Sequence, residues 1–499
     1  MGTWRGAFVT LNIILSRSRY WLIAAGAAAF GLSVAGSFHF DDYSMLSGNP
    51  LRTLSTRPLT ALSFLLDRTI AGQNPVFYHV VNLALHLAAV WLLFGALSRL
   101  LPERAAFVAT LLFAIHPMQA EAVNYVFARS TLLDTTLCIT ALVLWVHGRY
   151  WWAVVAFAAA LLAKEECVAF PVFLLLLHDA QPKPPAPPLR LDGLRSRRAI
   201  AAMFGVALAA GAWVYLEVLR TPGAMAGPQA GISPGSYLLT QGFVILRYLQ
   251  LLVVPVGFNV DSDIPRLVLW QGLVCWLVVA ALVARAWRWF RGGRAGFWFM
   301  AGLVLLLPSS SIFAAQDLAA DRRMYLPMVG FAACLGLLFG RVRPIVIAGV
   351  AVVLIGLSVE RTLVWRTEQS LWADAVEKSP RKVRTKLQLA RAVGRREALS
   401  LIGQARELAP EDARVATEAG RVYMEMGRPA LALSEFGRAL ALTPNDATAL
   451  NNRGAALFAL GQREAARLDF ERALRISPCL EDARANLARL GVTTPECRK

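Results

Sequence analysis

Two adjacent carboxylates, Asp41 and Asp42, follow the first long apolar run of the chain, within Phe38-His39-Phe40-Asp41-Asp42-Tyr43. At the mouth of a helix bundle such a pair can take a proton from an attacking hydroxyl, hold a divalent cation, or do both. A solvated loop that stops a span would carry the same residues. Further charges gather at the ends of apolar runs on what the charge bias makes the same side: Arg57, His116, Glu121, Arg129, Lys164, Glu165, Asp321, Arg322 and Arg323. Charge near hydrocarbon is costly, so the collection marks a site better than any single member, which alone reads as a snorkelling or ion-paired side chain. Acids suit a hydroxyl or a metal, and arginines offer planar forks to a lipid phosphate. No glycine-rich nucleotide loop, serine elbow or HExxH stretch occurs, so neither a soluble nucleotide donor nor hydrolase chemistry is indicated.

The elements that must position these residues belong to a membrane protein. The chain has 499 residues, 57% of them apolar, and a mean hydropathy of +0.50, outside the range of a soluble domain of this length. The net charge of +18 is spread over short loops and C-terminal helices. It reads as orientation signal and solvated surface, not as a nucleic-acid platform. Arg5, Arg17 and Arg19 precede a retained first span from about Tyr20 to Gly36, which puts the N-terminus in the cytoplasm. Thr60 to Ile70 has the helical spacing of an interfacial helix, and the basic linker Pro182 to Arg198, with Arg190, Arg195, Arg197 and Arg198, marks the cytoplasmic side. If 238–256 crossed the membrane, the arginines from Arg285 to Arg294 would be external. It is therefore expected to be re-entrant or interfacial, with Arg247 facing protein or lipid phosphate. Counting the runs gives about 11 crossings and an extracytoplasmic C-terminus.

The last quarter is polar and repetitive. Gly420, Gly427, Phe436, Ala439 and Pro444 return 34 residues later as Gly454, Gly461, Phe470, Ala473 and Pro478, the tetratricopeptide period of two antiparallel helices per unit. Arg381 to Pro410 is a shortened unit and Leu480 to Leu490 a capping helix. Such stacks form a groove for an extended polypeptide, or a scaffold with no chemistry of its own. The expectation is an all-α chain with a membrane helix bundle over 1–362 and an extracytoplasmic repeat domain over 363–499. Of the six cysteines, Cys138, Cys275 and Cys334 lie in apolar runs and Cys167 beside one, without metal-ligand spacing. Cys479 and Cys497 lie in the polar region, where they either pair or stay free thiols.

The order of motifs resembles a family. Phe40-Asp41-Asp42, Arg57-Pro58-Leu59, His79 with Asn82-Leu83-Ala84-Leu85-His86, Phe113-Ala114-Ile115-His116-Pro117 with Glu121-Ala122-Val123 and Ala128-Arg129, and Ala163-Lys164-Glu165 follow one another. They resemble the GT-C glycosyltransferases with C-terminal tetratricopeptide repeats, in eukaryotes the transmembrane and tetratricopeptide-repeat containing protein O-mannosyltransferases. Leu307-Pro308-Ser309-Ser310-Ser311-Ile312-Phe313, Ala320-Asp321-Arg322-Arg323-Met324-Tyr325-Leu326-Pro327, Val254-Pro255 and Asp261-Ser262-Asp263-Ile264-Pro265 are similar to that family's later segments. Asp321 stands where the family has Glu and Ser311 where it has Asn, and the repeat array is short.

The resemblance implies inverting transfer of a hexose, mannose first, from a polyprenyl-phosphate donor to Ser or Thr hydroxyls of exported proteins. On that reading Asp41 or Asp42 is the base, with Asp41 slightly preferred. Arg129, Arg322 and Arg323 are expected to hold the donor phosphate. Arg57, His116, Glu121, Lys164, Glu165, Asp321 and Tyr325 are expected to line the substrate site. Asp42 and Glu121 are candidate ligands of a divalent Mg or Mn. The small Ala/Arg-rich chain reads as a prokaryotic one of the inner membrane. Two rivals stay open: a transferase acting on a lipid or glycan, and a membrane-anchored repeat scaffold without catalysis.

Overall fold

The computed structural model describes residues 18–43, 56–179, 193–220, 231–265, 267–292, 294–311, 314–315 and 317–494. Among them the chain is helical, with no strand, as the patterning requires. Arg5, Arg17, Arg190, Ile312, Phe313 and Cys497 lie outside the described residues. The chain divides into two compact units, Met1–Thr367 and Glu368–Lys499.

In the first unit proline sets helix starts. Pro58, Pro75, Pro234 and Pro344 stand in the first turns of Pro58–Ala71, Pro75–Leu100, Pro234–Val253 and Pro344–Val364, where a missing N–H costs nothing. The Pro58–Ala71 helix buries Thr60, Ala61, Phe64 and Asp67 and turns Leu62, Leu66 and Ile70 outward. That split suits a helix lying in the membrane interface.

Six helices among the described residues are long and apolar enough to cross a membrane: Pro75–Leu100, Val126–Val146, Gly193–Arg220, Pro234–Val253, Leu269–Trp289 and Pro344–Val364. Glu103–Ile115 and Pro117–Asn124, bent by 49° at their junction, make a seventh if taken as one. The expected count of about 11 includes short apolar runs. Tyr150–Ala163, with 14 residues, is only about 21 Å long at 1.5 Å per residue, against roughly 30 Å of hydrocarbon. The 234–253 segment, expected to be re-entrant or interfacial, is one unbroken helix of crossing length, and the break falls instead at His116-Pro117. Arg247 donates to the Gly257 carbonyl (3.0 Å) and the Ser262 hydroxyl (3.2 Å), so it does face protein.

Small residues set the approach of Met328–Phe339 to its neighbours. A side chain on Gly330 would collide with the backbone of Gly302, and one on Gly336 with the carbonyl of Ala105. Close backbone contact of this kind is how helices associate where no hydrophobic drive separates protein from lipid. It brings the turn Asp321–Met324 against the segment Pro117–Asn124.

The second unit stacks Val383–Ala392 with Arg395–Leu408, Ala413–Glu425 with Pro429–Leu442, and Ala447–Ala459 with Arg463–Ile476, closed by Glu481–Arg489. The recurring glycines have two distinct jobs. Gly427 (φ +68°) and Gly461 (φ +79°) take the left-handed turn between paired helices. Gly420 and Gly454 leave room for the rings of Phe436 and Phe470. The unit Arg381–Pro410 has 30 residues against 34. Four residues are about one helical turn, and the loss falls in Val383–Ala392, which has 10 residues where its counterparts have 13, and in the turn after it. Losing a whole turn keeps the next helix on its face.

Candidate active site

The paired acids sit on a short loop fixed by its own backbone. Ser37 N–H donates to the Arg366 carbonyl (3.1 Å) and His39 Nε2 to the Trp365 carbonyl (2.7 Å). Asp42 is almost wholly buried, and its two oxygens accept from the N–H of His39 (2.8 Å) and of Phe127 (2.7 Å). Burial pushes the Asp42 carboxyl up to about 8 against the pull of those two N–H groups. Phe40 adopts φ +45°, a conformation that a bulky residue holds only under constraint. Its ring lies edge-on to Tyr125 (5.6 Å) and to Trp365 (6.5 Å). The strained residue immediately precedes Asp41, which stands exposed.

His39 reports on this loop. Burial pulls its pKa from 6.5 down to about 4, against the Trp365 carbonyl, so the folded ring is neutral. The unfolded chain takes up a proton below about pH 6.5 and the folded one does not. The stability that His39 contributes is therefore whole above that pH and is lost as pH falls toward 4. His39→Gln is expected to flatten the decline of the apparent melting temperature over that window. An unchanged slope would remove His39 as its source.

Asp41 and Tyr125 exchange two hydrogen bonds: the phenol donates to Asp41 Oδ2 (3.1 Å), and Asp41 N–H donates to the phenolic oxygen (3.3 Å). The Tyr125 ring stacks on Trp365, centroids 5.8 Å apart and planes at 26°, and the Arg322 guanidinium lies 6.0 Å from its centroid. Arg322 binds Glu121 twice, through its backbone N–H (3.0 Å) and its guanidinium, and keeps its side chain 26% exposed. Asp321, buried beside Glu121, is pushed up to about 7, first by burial and then by that neighbouring carboxylate. Asp41, Glu121, Asp321 and Arg322 are thus brought together.

A second group adjoins the first. Arg57 forks onto Glu165 at 3.0 and 2.6 Å and senses the charges of Glu166 and Arg322. Glu165 is held down at about 2: burial alone would raise it, but Arg57 outweighs that. Lys164 is buried, donating to Thr131 (2.7 Å) and pairing with Glu166 (2.7 Å). Arg323 gives its donors to Tyr237 and to the carbonyls of Leu318 and Asp317.

Three expected site residues stand elsewhere. Arg129 is wholly buried, donating to Asn82 (2.8 Å), the Tyr78 carbonyl (3.0 Å) and Asp67, with Phe64 4.5 Å below its plane. Its donors are spent on protein, which leaves no fork for a phosphate. His116 is buried at the helix break, where Nε2 donates to the Leu252 carbonyl (3.1 Å) and Nδ1 accepts from Met118 N–H (3.1 Å). Tyr325 is fully buried and donates to His86 Nδ1 (2.8 Å), whose Nε2 donates to Ala114 (3.0 Å). A ring so enclosed presents no face to a sugar.

The sequence reasoning missed Tyr125, Trp365, Asn82 as a ligand of Arg129, and Asp67. Asp67 alone left a signal, as an acid on the inward face of an amphipathic helix. The proposed metal ligands fit poorly: Asp42 gives both oxygens to backbone N–H groups and Glu121 pairs with Arg322. No group of three His, Cys, Asp or Glu converges among the described residues.

Relatives match this chain over most of its length. A Caenorhabditis elegans protein O-mannosyl-transferase, F38B6.6, is 23% identical over 419 residues, covering 75% of this chain and 59% of its own length. Drosophila melanogaster protein O-mannosyl-transferase Tmtc3 is 25% identical over 485 residues, 77% of this chain and 52% of its own length. The chain is a relative of the protein O-mannosyl-transferases. It spans about half the length of these curated relatives. Over a shorter stretch of 145 residues, 24% of this chain and 16% of the relative, identity to mouse protein O-mannosyl-transferase TMTC3 reaches 33%. The tetratricopeptide repeat family matches residues 417–478. Among solved structures, the first tetratricopeptide domain of Spaghetti (RPAP3) bound to an HSP90 peptide is 25% identical, covering 22% of this chain and 97% of that one, with a TM-score of 0.21. MamA is 21% identical, covering 25% and 75%, with a TM-score of 0.22.

Proposed function

We propose that the chain is an inverting membrane glycosyltransferase that moves a hexose, mannose first, from a polyprenyl-phosphate donor to Ser or Thr hydroxyls of exported proteins. The observation that carries this reading is the exposed Asp41 carboxylate, tied through Tyr125 to a partly exposed arginine fork at Arg322. Asp41 accepts the proton of the acceptor hydroxyl as its oxygen attacks the anomeric carbon from the face opposite the phosphate. The glycosyl C–O bond breaks, and its electron pair leaves on the phosphate oxygen, which Arg322 and Arg57 neutralise. Arg322, an expected phosphate binder, and Arg57, expected to line the substrate site, keep exposed surface (26% and 25%). Glu121 and Glu165 hold the forks in place until a phosphate competes for them. Lys164 and Asp321 shape the wall behind.

The repeats offer an acceptor polypeptide its groove, which a lipid acceptor would not need. Cys479 is disulfide-bonded, in keeping with a repeat unit in an oxidising space outside the inner membrane. The test is release of polyprenyl phosphate from polyprenyl-phosphate mannose by the purified full chain, given Ser/Thr-rich peptides. Arg57→Gln is expected to raise the donor KM by about tenfold to a hundredfold, the worth of a charge-assisted hydrogen bond. An unchanged donor KM would take Arg57 out of the phosphate site, and no release with any polyprenyl-phosphate hexose would refute the activity.

A further inference from the structure

Asp41 and Tyr125 form a reciprocal pair. Tyr125 fixes the acid at two points, since its phenol donates to Asp41 Oδ2 (3.1 Å) while the same oxygen accepts from Asp41 N–H (3.3 Å). The phenol can do this because its ring cannot turn away. It is stacked on Trp365, Phe40 meets it edge-on at 5.6 Å, and it is itself almost entirely buried. Trp365 in turn is locked by the His39 bond to its carbonyl. An exposed carboxylate on a free loop samples many rotamers, and a base must sit within hydrogen-bond reach of one proton in one direction.

We propose that Tyr125 is the positioning residue of the base: its hydroxyl aims the Asp41 carboxylate at the acceptor hydroxyl, and the Trp365 and Phe40 rings hold that hydroxyl still. The inference rests on the reading of Asp41 as base. Burial keeps the phenol a donor, pushing its ionisation well above the ordinary tyrosine range. The Arg322 guanidinium over the same ring makes Tyr125 the piece that shares a wall with both the base and the phosphate fork.

A double-mutant cycle on the full chain tests this, with polyprenyl-phosphate mannose as donor and Ser/Thr-rich peptides as acceptors. Tyr125→Phe removes one oxygen and keeps the ring stack. It is expected to lower kcat about tenfold to a hundredfold, with donor KM and apparent melting temperature unchanged. In an Asp41→Asn background the same change is expected to cost nothing further, because the phenol acts through the carboxylate. Wild-type kcat in Tyr125→Phe beside an inactive Asp41→Asn would overturn the positioning role and leave the base standing. Equal losses in both backgrounds would also overturn it. Wild-type turnover in Asp41→Asn would remove the base itself, a different failure. Should Tyr125→Phe shift donor KM and melting temperature together with kcat, the residue is structural and the inference falls.

Discussion

Asp41→Asn is expected to abolish turnover, by about a thousandfold or more, in a chain that melts where the wild type does. General-base catalysis contributes roughly 10²–10⁴-fold, and replacing an exposed carboxylate by its near-isosteric amide changes stability little. Asp42→Asn should behave in the opposite way. Its two oxygens accept two backbone N–H groups at 2.8 and 2.7 Å. An amide offers one acceptor in their place, so one buried donor is stranded at a cost of about 1–3 kcal/mol. Lower stability with partial turnover is the predicted phenotype, as the Asp41 loop loosens at its base. The acidity of the pair alone would mislead, since burial pushes Asp42 to about 8, a value suited to a base near neutral pH. Geometry comes first: a carboxylate 1% exposed with both oxygens engaged cannot reach an acceptor. If Asp42→Asn is the inactive, normally folded variant and Asp41→Asn the active one, the assignment is reversed.

What could be read from the sequence follows from the range over which each signal acts. The repeat was legible to the residue because a fixed period forces the same small and aromatic residues into the same places. Gly420 with Phe436 and Gly454 with Phe470 are one contact made twice. The paired acids were legible because they are neighbours in sequence at a run's end. Phosphate binding was misallotted for the opposite reason. Arg129 reads as a cation at an external helix end, and nothing in its surroundings announces Asp67, 62 residues earlier. Tyr325 follows Arg322 and Arg323 within one motif, yet the turn Asp321–Met324 points the arginines and the tyrosine in different directions, Tyr325 going to His86 in the core. Tyr125 carried no signal, because a single aromatic between Asn124 and Val126 gains meaning only when the Phe38–Tyr43 loop folds onto it. Hydropathy likewise reports that a helix is apolar and not whether it is long enough to span.

The fate of Arg129 separates a structural cation from a phosphate binder. Its guanidinium is 0% exposed, the Asp67 carboxylate 5%, and Asn82, Tyr78 and the Phe64 ring complete its surroundings. Asp67→Ala leaves a buried cation without its counter-ion, which costs about 3–5 kcal/mol, a large fraction of what holds a domain folded. Arg129→Met alone strands the acid and is expected to be nearly as harmful. Replacing both, Asp67→Leu with Arg129→Met, removes two desolvation penalties together with the attraction, so most of the loss should return. The apparent melting temperature in one detergent reads all three. The catalytic comparison makes the test decisive: a clamp that is only structural, once replaced by packed apolar side chains, leaves donor KM at its wild-type value. A double variant that melts normally but needs tenfold more polyprenyl-phosphate sugar would return Arg129 to the phosphate site. The three helices it now ties, Pro58–Ala71, Pro75–Leu100 and Arg129–Val146, would then have to open toward the donor.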